Sequence, residues 1–74
     1  MGMTLQKRIG KNIRQLRLIK GFSQEFVAEK LGISRNAFGA IERGESNPSI
    51  NRIGEIYSLF GINLGKIFDE IKIK

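Results

Sequence analysis

The chain of 74 residues contains no cysteine and no histidine, and only one proline. Without cysteine there is neither a disulfide framework nor thiolate chemistry. Without histidine as well, the usual zinc ligands and nucleophile–base pairs are missing. The seven carboxylates are spread along helical faces rather than paired, so acid–base catalysis has no seat. The sequence therefore predicts a non-enzymatic protein without metal or cofactor. Long apolar runs are missing too. Nothing approaches the roughly 18 apolar residues of a membrane span, and the N-terminus lacks the apolar centre of a secretion signal. A soluble cytoplasmic protein is expected, with no membrane partner. Acid is absent from residues 1–21, which hold Lys7, Arg8, Lys11, Arg14, Arg17 and Lys20. The other seven of the 13 bases are matched by all seven acids, so the formal charge of +6 sits in that first segment. Such a bias favours a polyanionic partner.

A chain of this length is expected to form one domain spanning residues 1–74. It buries only about 60% of its unfolded surface, and dimerisation would add to a small core. Glycine and the proline mark off five helical segments, and no stretch before the terminal IKIK alternates like a strand. The expected class is all-α. The first helix runs from about Thr4 to Lys20, with Leu5, Ile9, Ile13, Leu16 and Ile19 at helical spacing and the cations opposite. Ser23 and Ser34 are good N-caps for the second and third helices, which stop at Gly32 and Gly44. Ser49 caps a fourth helix over about Ile50 to Phe60, with Ile50, Ile53, Ile56, Tyr57 and Phe60 inward. A last helix follows Asn63 with Leu64, Ile67, Phe68 and Ile71 on one stripe.

The most informative stretch is Gln24 to Gly44, QEFVAEKLGISRNAFGAIERG. Val27, Leu31, Ile33, Phe38 and Ile41 stand where two short helices crossing at a steep angle both face inward. Ala28 supplies the small residue such a crossing needs, and Gly32 the left-handed turn position. This spacing predicts a helix-turn-helix over residues 24–43, a motif whose second helix usually lies in the major groove of DNA.

The segment FSQEFVAEKLGISRNAFGAIERGESNPSINRI resembles the DNA-binding domain of the phage-repressor and Cro-like (Xre) helix-turn-helix family. Its carriers are Ser23-Gln24, Ala28, Gly32, the exit Ile41-Glu42-Arg43-Gly44, and Asn47-Pro48-Ser49. The segment IRQLRLIKG (13–21) resembles the family's first helix, and the likeness covers about residues 5–70. It implies a five-helix, lambda-repressor-like fold. It also implies a homodimer on double-stranded DNA, near the nucleoid.

The resemblance assigns base contacts to the first turn and outward face of the third helix: Arg35, Asn36, Gly39 and Ala40. Arginine can pair bidentately with guanine O6 and N7, and asparagine with adenine N6 and N7. Gly39 and Ala40 depart from the family's polar side chains. Either the backbone approaches DNA closely there, or the pair only touches a thymine methyl, leaving more to DNA shape. Backbone contacts fall to Ser23, Gln24, Ser34, Arg43, Ser46 and Asn47, although Ser23 and Ser34 serve equally as caps. A helix N-terminus such as that at Gln24 offers free N–H groups and a positive dipole end to a phosphate. Glu45 puts a negative charge where many members carry a base. Arg17 and Glu42 are expected to pair as a structural brace. Lys7, Lys11 and Arg14 either form a solvated face or extend the electrostatic footprint.

Leu59, Ile62, Leu64, Ile67, Phe68 and Ile71 exceed what a small core needs from this third of the chain, and they are expected to form a dimer interface. The alternative is that they only close the monomer core. The leading expectation is a sequence-specific transcriptional regulator on a palindromic operator, such as a restriction–modification controller or phage-type repressor, able to block or touch RNA polymerase. The alternative is an antitoxin-type interaction module with secondary DNA binding. A basic membrane-surface helix over residues 1–21 fits in isolation, but that helix is needed to cover the next two.

Overall fold

The computed structural model describes residues 2–70, and the expected role of Ile71 in an interface lies outside them. The elements are α1 (Leu5–Ile19), α2 (Gln24–Leu31), α3 (Arg35–Glu42), α4 (Ile50–Leu59) and α5 (Leu64–Glu70). This is the expected lambda-repressor-like all-α arrangement. Each helix starts where a short polar side chain can accept from the first turn. Thr4, Ser23, Ser34 and Ser49 accept from the N–H of Lys7, Phe26, Ala37 and Arg52. Asn63 Oδ1 does the same for Lys66, at 2.9 Å. These caps satisfy N–H groups that have no partner inside the helix.

The turn between α2 and α3 is set by Gly32, whose φ of 71° is left-handed. Ile33 N–H then reaches back to Ala28 O at 3.0 Å, closing the end of α2. The same turn aims α3 across α2, so that Val27, Ala28, Phe38 and Ile41 meet in one core with Ile13, Ile56 and Phe60. Ala28 is buried, as the crossing requires. A second close approach joins α1 to the end of α3. A methyl group on Gly10 would stand 2.5 Å from the backbone oxygens of Ile41 and Glu42. Any side chain there would push the two helices apart. α4 is tied to α2 by Arg52 Nη1, which donates to Leu31 O at 3.1 Å. α4 meets α1 where Tyr57 donates its hydroxyl proton to Asn12 Oδ1.

Three apolar residues expected inward are on the surface. Leu5 is 72% exposed, Ile19 77% and Ile50 74%. α1 is buried at Gly10, Ile13 and Arg17, while Leu5 and Ile19 are its first and last residues. Ile50 stands in the first turn of α4, ahead of the buried Ile56 and Phe60. Helical spacing marks which face a residue is on, but the length of the packed region is set by the partner helix. Leu18, on the charged side of α1, is also exposed. Among the described residues no helix is long and apolar enough to cross a membrane.

Candidate nucleic-acid interface

Arg35 and Asn36 open α3 and are both exposed. Their position is fixed from below. Arg17, buried in α1, donates from Nε to Glu42 Oε2 at 2.6 Å and from Nη2 to Glu42 Oε1 at 3.2 Å. Its Nη1 donates to Phe22 O at 2.8 Å, closing the α1–α2 connection onto the same guanidinium. The expected Arg17–Glu42 brace is therefore present, with side chains 8% and 2% exposed. Taking two charges out of water is costly, and here the pair, the Phe22 carbonyl and the Gln24 amide together supply the hydrogen bonds that offset it.

Gln24 belongs to this network, which its position in the sequence did not reveal. Its Nε2 donates to Glu42 Oε1 at 2.9 Å. The brace thus joins three helices: α1 through Arg17, α3 through Glu42 and the first residue of α2 through Gln24. The amide of Gln24 is half-buried and oriented before any ligand arrives. Arg17, Gln24, Arg14, Ser23, Glu25 and Arg35 line one polar recess at the edge of α3. From the sequence Arg14 belonged either to a solvated face or to an extended electrostatic footprint; the fold brings it beside Gln24 and Arg35. The negative charge at Glu25 lies in the same recess.

The other expected contact residues divide. Ser23 and Ser34 are exposed, but their hydroxyl oxygens already accept from Phe26 N–H at 2.9 Å and Ala37 N–H at 3.0 Å. Both hydroxyl protons remain available as donors on the surface. Arg43 is exposed and pairs through Nε with Glu45 Oε2 at 3.0 Å. Asn47 is exposed. Ser46 is turned inward: its Oγ is buried and lacks a hydrogen-bond partner among the described residues. Its carbonyl accepts from Gln6 Nε2 of α1 at 3.2 Å, a tether with no local sequence signal. Ala40 is half-buried and lines a shallow apolar recess with Ile33, Ala37 and Pro48. Gly39 is buried.

Of the expected interface residues, Leu59 and Ile62 pack against the core. Leu64 is half-buried, while Ile67 is 43% and Phe68 61% exposed. The stripe therefore splits, its beginning closing the molecule and its end left open on α5.

Two short helices joined by a glycine turn, with the second presented outward on a buried ionic brace, define a helix-turn-helix domain. The helix-turn-helix family model matches residues 13–67, and the chain belongs to that family, in its Xre-like branch. It is 33% identical over 61 residues to y4dJ of Sinorhizobium fredii, an uncharacterised HTH-type transcriptional regulator, covering 82% of this chain and 79% of that protein. It is 33% identical over 63 residues to the HTH-type transcriptional regulator SinR of Bacillus subtilis, covering 84% of this chain and 57% of SinR. A third likeness, 30% over 61 residues, is to the HTH-type transcriptional regulator PuuR of Escherichia coli, of which the chain spans 33%.

Proposed function

We propose that this domain is a transcriptional regulator that binds double-stranded DNA by laying α3 in the major groove. The observation that carries the reading is the three-helix network of Arg17, Glu42 and Gln24, which leaves Arg35 and Asn36 exposed beside the N-terminus of α2. The N-terminus of α2 suits a phosphate, since it carries the positive end of the helix dipole, and the amide of Gln24 stands there on the carboxylate of Glu42. In this reading Arg35 and Asn36 read base edges, with Gly39 and Ala40 close to the groove. Ser23, Gln24, Ser34, Arg43, Ser46 and Asn47 hold the backbone, and Arg14 joins them from α1. Ser46 takes part only if its hydroxyl turns outward. Residues 1–74 act as one DNA-binding domain.

Two copies act together. The exposed Ile67 and Phe68 on α5 form an apolar stripe that a second copy covers, extending from Leu59, Ile62 and Leu64. Two-fold symmetry then sets the recognition helices about 34 Å apart on a palindromic operator. Such a dimer acts as a restriction–modification controller or phage-type repressor in the cytoplasm, at the nucleoid. It represses by blocking RNA polymerase, or activates by touching it beside a promoter.

Selection of bound duplexes from a random pool tests both halves of the reading, with a two-fold symmetric motif as the expected result. A salt titration adds an independent check. With about six phosphate contacts per dimer, the log–log slope should be about −5. A slope near zero would reject DNA as the partner. A toxin-like protein partner in place of the second copy predicts a monomer in isolation, which sedimentation would detect.

A further inference from the structure

Gly39 is buried although it lies toward the ligand-facing side of α3, and the atoms that bury it are not core atoms. A methyl group at Gly39 would stand 2.9 Å from Arg43 Nη1, and 3.8 Å from both Arg43 Cζ and Gln24 Nε2. The guanidinium of Arg43 occupies the space that a side chain at position 39 would fill. The physical cause is helix geometry. Side chains lean toward the helix N-terminus, so a residue covers the turn one step before its own Cα. Arg43 is held in that posture from the other side by Glu45, whose carboxylate accepts from Nε at 3.0 Å. Its two terminal nitrogens remain to make contacts, and the side chain is 58% exposed.

Building on the proposed DNA binding, we infer that Arg43 reads a base edge in place of the backbone contact given to it above, supplying from the end of α3 the recognition group that position 39 lacks. Gly39 is its seat and Glu45 its positioning residue. A guanidinium directed only at a phosphate would need no seat, and any side chain at 39 would be tolerated. It would also be poorly served by a carboxylate partner, which cancels its charge toward an anion and itself repels phosphates. Guanine O6 and N7 are neutral acceptors. They can take the remaining N–H donors of a guanidinium whose charge is already matched by a carboxylate. Arg43 and Glu45 together thus favour base discrimination over general affinity for DNA.

The test is selection from a random duplex pool with the wild type, Arg43→Lys, Gly39→Ala and Glu45→Gln, alongside binding to one duplex of random sequence. Arg43→Lys keeps the charge and removes the planar pair of donors. It should lose a preference of about fivefold or more for guanine at one position of each half-site, while retaining the other positions. Gly39→Ala meets only the far end of a flexible side chain. It should keep its helical circular dichroism and lose preference at that same position. Glu45→Gln should relax it too, yet bind the random duplex more tightly. If Arg43→Lys enriches the wild-type motif unchanged, or weakens all duplexes alike, Arg43 is not a base reader. A wild type that enriches no motif would overturn the proposed function along with it.

Discussion

Arg17→Met should destabilise the fold far more than the loss of an ordinary ion pair. Arg17 and Glu42 are nearly inaccessible, and Glu42 accepts from Arg17 Nε, Arg17 Nη2 and Gln24 Nε2. The substitution removes two of these three donors and leaves a carboxylate whose side chain is 2% exposed. Stranding one charge of a buried pair costs about 3–5 kcal/mol. At about 0.05–0.15 kcal/mol per residue, a chain of this length has roughly 4–11 kcal/mol in total. The melting temperature should therefore fall by roughly 12–40 °C, at about 4–8 °C per kcal/mol for a domain of this size. The double variant Arg17→Met/Glu42→Leu should recover most of the loss, because neither side chain then carries a desolvated charge. Urea titrations followed by far-ultraviolet circular dichroism on the wild type, both single variants and the double variant give the coupling energy. In the double variant Gln24 has no carboxylate to orient its amide, so a stable fold should coincide with weaker binding to every duplex. A loss below about 1 kcal/mol for Arg17→Met, or simple additivity around the cycle, would refute the reasoning.

Other expectations follow from the same geometry. Arg35→Ala should relax base preference by about 1–3 kcal/mol at one position, while Gln24→Ala should weaken binding to all sequences alike, as parallel selections and titrations would reveal. Ser34→Ala removes the acceptor for Ala37 N–H and should cost about 1 kcal/mol in urea unfolding, affecting stability even without DNA. Phe68→Asp, at a residue 61% exposed, should leave the monomer folded and shift sedimentation from dimer to monomer; unchanged dimerisation would place the interface elsewhere. Burial raises the Tyr57 phenol above its ordinary value of 10.0, so the native state holds this proton to a higher pH than the unfolded chain. The associated stability is whole below pH 10 and declines above it, and Tyr57→Phe should reduce the loss measured on raising the pH past about 10.

Much of the architecture was legible because its signals are local. The caps at Ser23, Ser34 and Ser49 act within three residues, and the left-handed turn at Gly32 acts within one. The packing of α2 against α3 was readable because Ala28, Phe38 and Ile41, which meet in one core, fall at spacings that few other arrangements require. The misplaced residues were Leu5, Ile19 and Ile50. Each has the right periodicity but stands near a helix end, where burial depends on a second element's reach. The Arg17–Glu42 brace was anticipated through family likeness, since residues 25 positions apart carry no local pattern linking them.

By itself, then, the chain determined five helices, three of them with their caps, the turn that aims α3 and a basic surplus at its start, because capping, periodicity and charge are properties of neighbouring residues. Tertiary structure alone decided that Gln24 shares the carboxylate of Glu42, that Arg14 joins the recess beside Arg35, and how far the stripe of α5 stays uncovered. Those outcomes depend on distances between helices set by close approaches such as Gly10 against the end of α3. A displacement of about one turn, roughly 5 Å, would break every one of these contacts without altering a single local signal.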